Sequence, residues 1–458
     1  MRKFHLLATI IIIGTICLAQ DKPPDKPTTE KITVITGGTV FTVTKGIIKE
    51  GVIFIKGGKI IKVDSQLFNN IEIPADAKVI NAFGKYIMPG IVDAHSHMGV
   101  YSWPAGDDGN EATSPITAQV RAEDSIDLAD PAFKYALAGG VTTVLIIPGS
   151  ANLIGGEGVV LKLRVGKLLD EMKFKDAPRQ LKMAQGENPK RVYGSRGQMP
   201  STRMGNFAVL RETFIKTKEY IRKWETYEKK IADYKGELEK WEKSGGKDEK
   251  GEEKKKPEEP TPPDKNLQLE TLADVLRGKL RVQWHCYRAD EIVNMIKLAD
   301  EFGFKIAALH HALDAYKVAD EIARQNIGVA TFVDWWGFKV EAFDAIPQAP
   351  AILTNHGVRV VLKSDSADMG QRLYTEAAKT IRYGMAENDA MKTITINAAW
   401  VLGIDDKVGS IEVGKDADIA IFSKHPFDVY TLCEMTIING EVVFDRKINR
   451  DYFGAVKQ

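Results

Sequence analysis

Short runs of β-branched and apolar residues, separated by turn-forming residues, occupy both ends of the chain. The N-terminal runs are Ile32–Ile35, Val40–Val43, Val52–Ile55 and Ile60–Val63, and the C-terminal runs are Ala417–Phe422, Met435–Ile438 and Val442–Phe444. Between them lie turn signals such as Gly57-Gly58 and Asn439-Gly440, a pattern that predicts antiparallel strands. We therefore expect residues 32–87 and 404–446 to form one small β-domain from both ends of the chain.

The middle of the chain, residues 88–403, alternates apolar strand-like runs with amphipathic helical segments. The strand-like runs are Val141–Ile147, Gln180–Ala184, Leu280–Trp284, Lys305–Leu309, Gly328–Val333 and Val358–Leu362. Between two of them, Asp290–Phe302 places Ile292, Ile296 and Phe302 on one helical face. This alternation predicts an α/β fold with a parallel sheet, and a closed (β/α)8 TIM-like barrel is the commonest form of such a sheet.

Residues 207–266 interrupt this alternation and form a predicted insertion. A helix-period stripe runs from Leu210 to Trp241 through Phe214, Ile221, Trp224, Ile231, Tyr234 and Leu238. One helix over that stretch would be roughly 45–50 Å long. Residues 243–265 are low-complexity and charged, which indicates disorder. The stripe could serve as a lid, as a dimer contact or as packing along the barrel wall.

The charge balance and the N-terminus limit the classes of partner. The 458-residue chain has a formal charge of +1 at pH 7, which argues against nucleic acid or an anionic membrane as the main partner. Residues 1–19 combine basic Arg2 and Lys3 with an apolar stretch that is shorter than the roughly 20 residues of a membrane span. We expect a cleaved signal peptide, export to the periplasm or the exterior, and no stable membrane span afterwards. Residues 20–31 are Pro-rich and predict a flexible lead-in.

Histidines and an aspartate follow the predicted strands of the middle segment. The first strand ends in Asp93-Ala94-His95-Ser96-His97, and alternation along a strand puts both imidazoles on the same side. His285, His311 and Asp365 come at the ends of three later strands. The carboxyl ends of barrel strands meet at one face, so these side chains should converge there. Neutral imidazoles ligate zinc and similar metals, and the pattern predicts a metal site.

These motifs together resemble the amidohydrolase superfamily, in its imidazolonepropionase-like and prolidase-like branch. The resemblance rests on the run Pro89–His97, on Gly139–Thr143, on Thr395–Gly403 and on Gly409–Asp418, and it extends over nearly the whole chain after residue 19. It implies a metal-binding barrel, residues 88–403, and a β-sandwich built from both ends. It also implies that metal-activated water attacks an amide-type C–N bond, because a bound metal lowers the pKa of water towards neutrality.

The resemblance further implies the roles of individual residues. His95, His97, His285 and His311 would ligate one or two divalent cations, with zinc the first candidate, and Asp365 would be both a ligand and the general base. Superfamily members with two metals also need a bridging anion, a glutamate or a carboxylated lysine. We expect Glu187 in this role because it lies at a strand end, with Lys182 as its competitor. Glu157 is a third option, although Gly155-Gly156-Glu157-Gly158 is typical of a turn.

Three further residues have a less specific expected role. The resemblance puts the ligand at His311, so His310 would support the site or the fold. Arg288 and Arg203 could each clamp a substrate carboxylate, since a guanidinium matches that group, or could form a structural salt bridge. The deaminase branch usually carries a glutamate where this chain has Arg288, three residues after His285. That difference disfavours a deaminase.

The predicted function is an exported metal-dependent amidohydrolase that acts on a dipeptide, an N-acyl amino acid or a cyclic amide. The alternatives are a mononuclear aminohydrolase (deaminase), a lactonase, or a non-enzymatic binding protein on the same fold. The expected partner is a small molecule or short peptide, and the possibility of a homo-oligomer is left open. Because every expected ligand position is filled, an enzyme is favoured over a binding protein.

Overall fold

Two eight-stranded sheets organise the residues described by the computed structural model, which are 31–101, 107–335, 337–366 and 369–453. The strands are β1 (Thr33–Phe41), β2 (Ile47–Lys56), β3 (Lys59–Ser65), β4 (Lys78–Asn81), β5 (Tyr86–Pro89), β6 (Ile91–Ser96), β7 (Val141–Ile146), β8 (Ile154–Lys162), β9 (Arg179–Ala184), β10 (Leu280–Cys286), β11 (Ile306–His311), β12 (Gly328–Thr331), β13 (Val360–Leu362), β14 (Ile419–Phe422), β15 (Cys433–Ile438) and β16 (Glu441–Asp445). The α-helices are α1 (Ala132–Ala138), α2 (Leu169–Met172), α3 (Glu187–Gly194), α4 (Arg203–Lys243), α5 (Leu267–Leu276), α6 (Ala289–Phe302), α7 (Ala319–Arg324), α8 (Ala349–Asn355), α9 (Leu373–Arg382), α10 (Glu387–Thr393) and α11 (Ile396–Leu402). The predicted signal segment, residues 1–19, and residues 20–30 of the lead-in lie outside the described residues.

The first sheet joins the two ends of the chain. Its order is β16-β15-β14-β5-β1-β2-β3, with β4 paired to β1, so strands from both predicted flanks belong to one continuous sheet. The junction is β5, which pairs antiparallel with β14 and places Ile87 opposite Ile421. Both side chains are buried in one isoleucine-rich core. The small β-domain predicted from both ends is therefore present.

The second sheet forms the barrel. Its order is β13-β12-β11-β10-β9-β8-β7-β6, and the Asp365 amide after β13 donates to the His95 carbonyl of β6 at 3.0 Å. This bond brings the last strand of the sheet back to the first. The paired strands run parallel except for β8, which is antiparallel to β7 and to β9. The structure thus confirms the predicted barrel architecture, with one reversed strand.

The prediction that Gly155–Gly158 forms a turn is wrong, because this segment lies in β8. The glycines allow another part of the chain to pack closely against β8. At Gly156, with φ of +120°, an added Cβ would lie 2.5 Å from the Val120 carbonyl oxygen. Glu157 points to the barrel exterior, where Oε2 accepts from Arg179 Nε at 2.8 Å. Glu157 therefore forms an ion pair with Arg179 and not a metal contact.

The predicted helix of the insertion is α4, which is longer than the stripe suggested. It has 41 residues, about 61 Å at 1.5 Å per residue, and Thr202 Oγ1 caps its N-terminus by accepting from Gly205 N. Its first half packs on the barrel wall, where the Phe214 ring lies 4.9 Å from that of Phe304. Beyond Tyr220 the stripe is only half-buried. Packing along the barrel wall therefore explains the first half of the stripe alone.

The charged segment after α4 contains no helix or strand longer than an isolated bridge within the described residues. It is nevertheless tied to the helix, because Trp241 Nε1 donates to the Lys254 carbonyl at 2.7 Å. None of the described helices combines the length and the apolar character needed to cross a membrane.

Candidate metal centre

The predicted metal ligands converge at one end of the barrel. His95 lies near the end of β6, His285 near the end of β10 and His311 at the end of β11, while Asp365 follows β13 by three residues. All three histidines are buried. The carboxyl ends of parallel barrel strands share one face, so side chains at these strand ends lie near one another. The convergence predicted from the sequence is what the structure shows.

Asp365 Oδ1 is the common neighbour of three imidazoles. It lies 3.0 Å from His95 Nε2, 3.8 Å from His97 Nε2 and 3.8 Å from His311 Nε2. The ligand atoms of His95, His311 and Asp365 all lie within 4.8 Å of one another. His285 joins this group through His311, with 4.5 Å between the two ring centroids.

His97 has a tautomer set by the backbone. Its Nδ1 lies 2.8 Å from the Ile147 carbonyl, which only accepts, so Nδ1 carries the proton and Nε2 keeps its lone pair. That Nε2 lies 3.3 Å from His95 Nε2.

The tautomer of His95 is set by a relay, a chain of hydrogen bonds between the buried polar side chains of Gln180, Gln283 and His310. Gln180 Nε2 donates to the carbonyls of Pro178 and Leu402, so Gln180 Oε1 accepts from Gln283 Nε2 at 2.8 Å. The amide of Gln283 therefore turns its Oε1 towards His310, 2.7 Å from His310 Nε2. Since an amide oxygen only accepts, His310 Nε2 must donate.

The relay ends at the metal site. His310 Nδ1 is the remaining acceptor, and it lies 2.7 Å from His95 Nδ1, which must donate to it. His95 Nε2 is left with a lone pair that faces His97 and Asp365. His310 thus supports the site, as the resemblance implied, while the neighbouring His311 faces Asp365.

The donor set fits a divalent cation. The two facing lone pairs of His95 and His97 have no proton to share, and their separation of 3.3 Å is that of two nitrogen ligands about 2.1 Å from one tetrahedral ion. Burial lowers the pKa of His97 to about 4, with the nearby Lys182 ammonium adding to the shift. Burial also holds the pKa values of His95, His285 and His311 well below the ordinary value. These imidazoles are therefore neutral at pH 7, which is the form that ligates metals.

Lys182, the competitor of Glu187 for the bridging role, lies on β9. It is fully buried, and its Nζ has no hydrogen-bond partner within the described ranges. Burial lowers the pKa of Lys182 to about 7. Its positive charge contributes to the lowered pKa values of His95, His97 and His285.

Glu187, the predicted bridging ligand, occupies a different surface. It begins α3, its side chain is half-exposed, and its own amide donates to Glu341 Oε1 at 2.8 Å. The carboxylate lines an outer cleft of about 1130 Å³ together with Arg191 and Arg288. Among the described contacts, none joins this carboxylate to the four histidines.

Asp365 lies beside Lys363, a residue that the sequence analysis did not single out. Burial by itself would raise the pKa of Asp365, but Lys363 Nζ at 3.1 Å and the neighbouring His311 and His95 hold that pKa well below its usual range. Both residues follow β13, which ends at Leu362, so strand alternation does not mark Lys363 as a partner of Asp365. Asp365 and His311 both have positive φ, +62° and +66°, which is rare for non-glycine residues.

The two predicted carboxylate-binding arginines are both engaged in ion pairs. Arg203 contacts the buried carboxylates of Glu291 and Glu341. Arg288 pairs with Asp290 through Nε at 2.8 Å and Nη2 at 3.0 Å on the exposed rim of the outer cleft. The salt-bridge alternative left open by the sequence therefore describes both.

Comparison with known proteins gives consistent similarities. The Amidohydrolase family model matches residues 344–446. The chain is 34% identical over 412 residues to Amidohydrolase tasK of Hapsidospora irregularis, a match that covers 86% of this chain and 40% of that protein. An imidazolonepropionase of Thermoplasma volcanium is 28% identical over 167 residues, 34% of this chain and 41% of the relative. The chain thus spans about two fifths of the length of these curated relatives.

A solved structure matches over its full length. The crystal structure of an amidohydrolase from Thermotoga maritima MSB8 is 39% identical to this chain, with a TM-score of 0.79. The match covers 90% of this chain and 100% of that structure.

Proposed function

This chain belongs to the amidohydrolase superfamily, as its motifs predicted, and on that premise we propose that it is a metal-dependent hydrolase of an amide-type C–N bond. The observation that carries the proposal is the pair of facing lone pairs on His95 Nε2 and His97 Nε2, 3.3 Å apart, with Asp365 Oδ1 at 3.0 Å from His95. Such a cluster of unprotonated donors needs a cation for its stability.

The residues that would hold the metal are His95, His97, His285, His311 and Asp365. A bound divalent cation, zinc in the first instance, would polarise the scissile carbonyl and lower the pKa of a water in the site. The chain itself contributes neutral imidazoles, fixed in orientation by the Ile147 carbonyl and by the His310 relay. Outer hydrogen bonds of this kind commonly set ligand orientation and basicity.

We propose Lys182, as a carbamate, for the bridging anion in preference to Glu187. An amine whose pKa burial lowers to about 7 is substantially neutral at physiological pH. Its nitrogen lone pair can form a bond to the carbon of CO₂ and release a proton to solvent, which yields an anionic carbamate with two oxygen ligands. Within the described residues the buried Nζ has no hydrogen-bond partner, which supports this choice, whereas the Glu187 carboxylate lines the outer cleft.

Asp365 is the proposed proton carrier. Its pKa lies well below the ordinary value, so its carboxylate is ionised at neutral pH and can accept a proton from the attacking water. Delivery of that proton to the nitrogen of the breaking C–N bond lets the amine leave. Lys363 at 3.1 Å stabilises the ionised carboxylate before the transfer.

The deaminase alternative finds less support than the amidase. The residue three positions after His285 is Arg288, whose guanidinium is held by Asp290 on the exposed rim. No carboxyl group stands there to protonate a substrate ring. The lactonase alternative uses the same metals and water, so substrate tests must decide between them. Export and self-association stay predictions.

The test is a substrate panel with the metal-loaded protein. We expect hydrolysis of a dipeptide, an N-acyl amino acid or a cyclic amide, and a loss of about 100- to 10,000-fold in kcat for Asp365→Asn. Asp290→Asn, which changes an exposed acid outside the site, is the matched control and should keep full activity. Turnover of lactones alone would show that the enzyme hydrolyses esters and not amides. Full activity of Asp365→Asn would contradict the role of Asp365 as the base.

A further inference from the structure

Lys339 brings a cation to the edge of the proposed metal site. It lies in the loop after β12, immediately before a 3-10 turn at Val340–Ala342. Its Nζ donates to Asn188 Oδ1 at 3.1 Å and lies 3.9 Å from the centre of the Tyr287 ring. The side chain is 19% exposed, so its ammonium group is largely removed from water and still reachable.

Both contacts of Lys339 adjoin metal-ligand candidates. Asn188 Nδ2 lies 3.4 Å from His285 Nε2. The Tyr287 ring stacks on the His311 ring, with centroids 5.2 Å apart and an interplanar angle of 24°. One side chain therefore separates the ammonium from each of two proposed ligands, His285 and His311.

The carboxylate nearest to Lys339 is shared with a second cation. Glu341 Oε2 lies 3.4 Å from Lys339 Nζ, but Glu341 also pairs with Arg203 and accepts from the Glu187 amide. Arg203 binds Glu291 as well, so these two acids are shared between two cations. An ammonium has three donors; Lys339 directs one to Asn188 and has Glu341 Oε2 at 3.4 Å, which leaves at least one for an incoming group. A partly dehydrated cation with spare donors favours an incoming anion.

We propose that Lys339 binds a free carboxylate of the substrate beside the scissile amide. This inference rests on the proposed function and narrows its substrate class to peptides and N-acyl amino acids with a free carboxylate. The two arginines considered from the sequence are less suited, because Arg203 is held between two buried acids and Arg288 is held by Asp290.

The experiment compares matched acids and amides. The substrates are Leu-Pro and Leu-Pro amide, and N-acetyl-leucine and N-acetyl-leucinamide. Turnover is measured for the wild type, Lys339→Met and Lys339→Arg as release of leucine, or of leucinamide from N-acetyl-leucinamide. We expect the wild type to prefer the acids, and Lys339→Met to lose about 10- to 150-fold in kcat/KM for the acids alone, the range of a charge-assisted hydrogen bond. The loss should fall mainly on KM, and Lys339→Arg should restore part of it.

A matched lysine and a binding measurement complete the design. Lys317→Met removes a lysine that lines the outer cleft and pairs with Asp314 and Asp344, and it should leave the acid preference unchanged. Calorimetry with leucine and leucinamide, on protein of verified metal content, tests the carboxylate site without turnover. We expect leucine to bind more tightly than leucinamide only when Lys339 is present.

The outcomes separate the two proposals. Turnover of acids and amides at equal rates, or equal losses for both in Lys339→Met, would overturn the carboxylate site and leave the hydrolase standing. Absence of turnover for all four compounds, together with leucine binding that depends on Lys339, would support the carboxylate site and count against the proposed function.

Discussion

His310 accepts a hydrogen bond from His95, with 2.7 Å between their Nδ1 atoms, and this bond determines which nitrogen of His95 faces the metal site. The proton order follows from Gln283, whose Oε1 takes the Nε2 proton of His310. The buried relay therefore orients His95, a proposed ligand, although neither His310 nor Gln283 is itself a proposed ligand.

Breaking the relay should weaken metal binding. For Gln283→Leu, His310 Nε2 loses its acceptor, and we expect a drop of about 10- to 100-fold in zinc affinity, as is typical of partners behind a ligand. Gln283→Glu keeps an acceptor at that position and should retain more affinity than Gln283→Leu. Competition with a chelator measures the affinities. Equal affinities for the wild type and Gln283→Leu would contradict the relay.

The buried imidazoles should make the metal-free protein more stable as pH rises from about 4 to about 6.5. Burial lowers the pKa of His97 to about 4, whereas an unfolded histidine has a pKa near 6.5. Between these values the unfolded chain binds more protons than the folded one, so the free energy of unfolding increases with pH. Urea unfolding at several pH values measures the slope. His97→Gln should make it shallower, and a slope of the opposite sign would contradict the burial argument.

Arg203 should matter for stability more than for substrate binding. Its guanidinium contacts two buried carboxylates, Glu291 and Glu341, so Arg203→Met leaves Glu291 unpaired and leaves Glu341 with Lys339 alone. We expect a loss of about 3–5 kcal/mol in the free energy of unfolding. Arg211→Met, on the same helix, breaks an exposed pair with Glu301 and should cost less than about 1 kcal/mol. Comparable small losses for both variants would contradict a structural role for Arg203.

The outer part of the insertion should be dispensable for the fold of the barrel. Tyr220 Oη lies 3.5 Å from the Asn266 amide, so a short Gly-Ser linker can replace the residues between them. The packing of α4 on the barrel ends near Tyr220, and we expect the shortened protein to unfold within a few degrees of the wild type. Calorimetry and the metal content test this. A large loss of stability would show that the outer half packs against something essential, and a change in oligomeric state would identify a dimer contact.

The sequence predicted the parts of the site that follow from periodicity. His95, His97, His285, His311 and Asp365 converge because each lies at a strand end, and strand ends of a barrel share one face. The depth of Lys182 could not be judged in this way, since a long side chain can reach a strand end from a position several residues earlier. Lys339 lies in a loop with no repeating pattern, so only the fold reveals that it adjoins Asn188 and Tyr287.

Other misjudged features depend on contacts between distant parts of the chain. The glycines of β8 were interpreted as a turn, whereas Gly156 leaves room for the Val120 carbonyl. The relay from Gln180 to His95 joins four strands, and no local pattern marks its members as partners.

The most direct test of the proposed metal centre is elemental analysis of the purified protein, its Lys182→Ala variant and its Glu187→Ala variant, each reconstituted with zinc and bicarbonate. We expect about two ions per chain in the wild type and in Glu187→Ala, and about one or fewer in Lys182→Ala, because a carbamate on Lys182 would bridge the pair. Loss of metal only in Glu187→Ala would contradict the lysine bridge and restore the glutamate. Absence of bound metal from all three proteins would contradict the metal-dependent hydrolase itself.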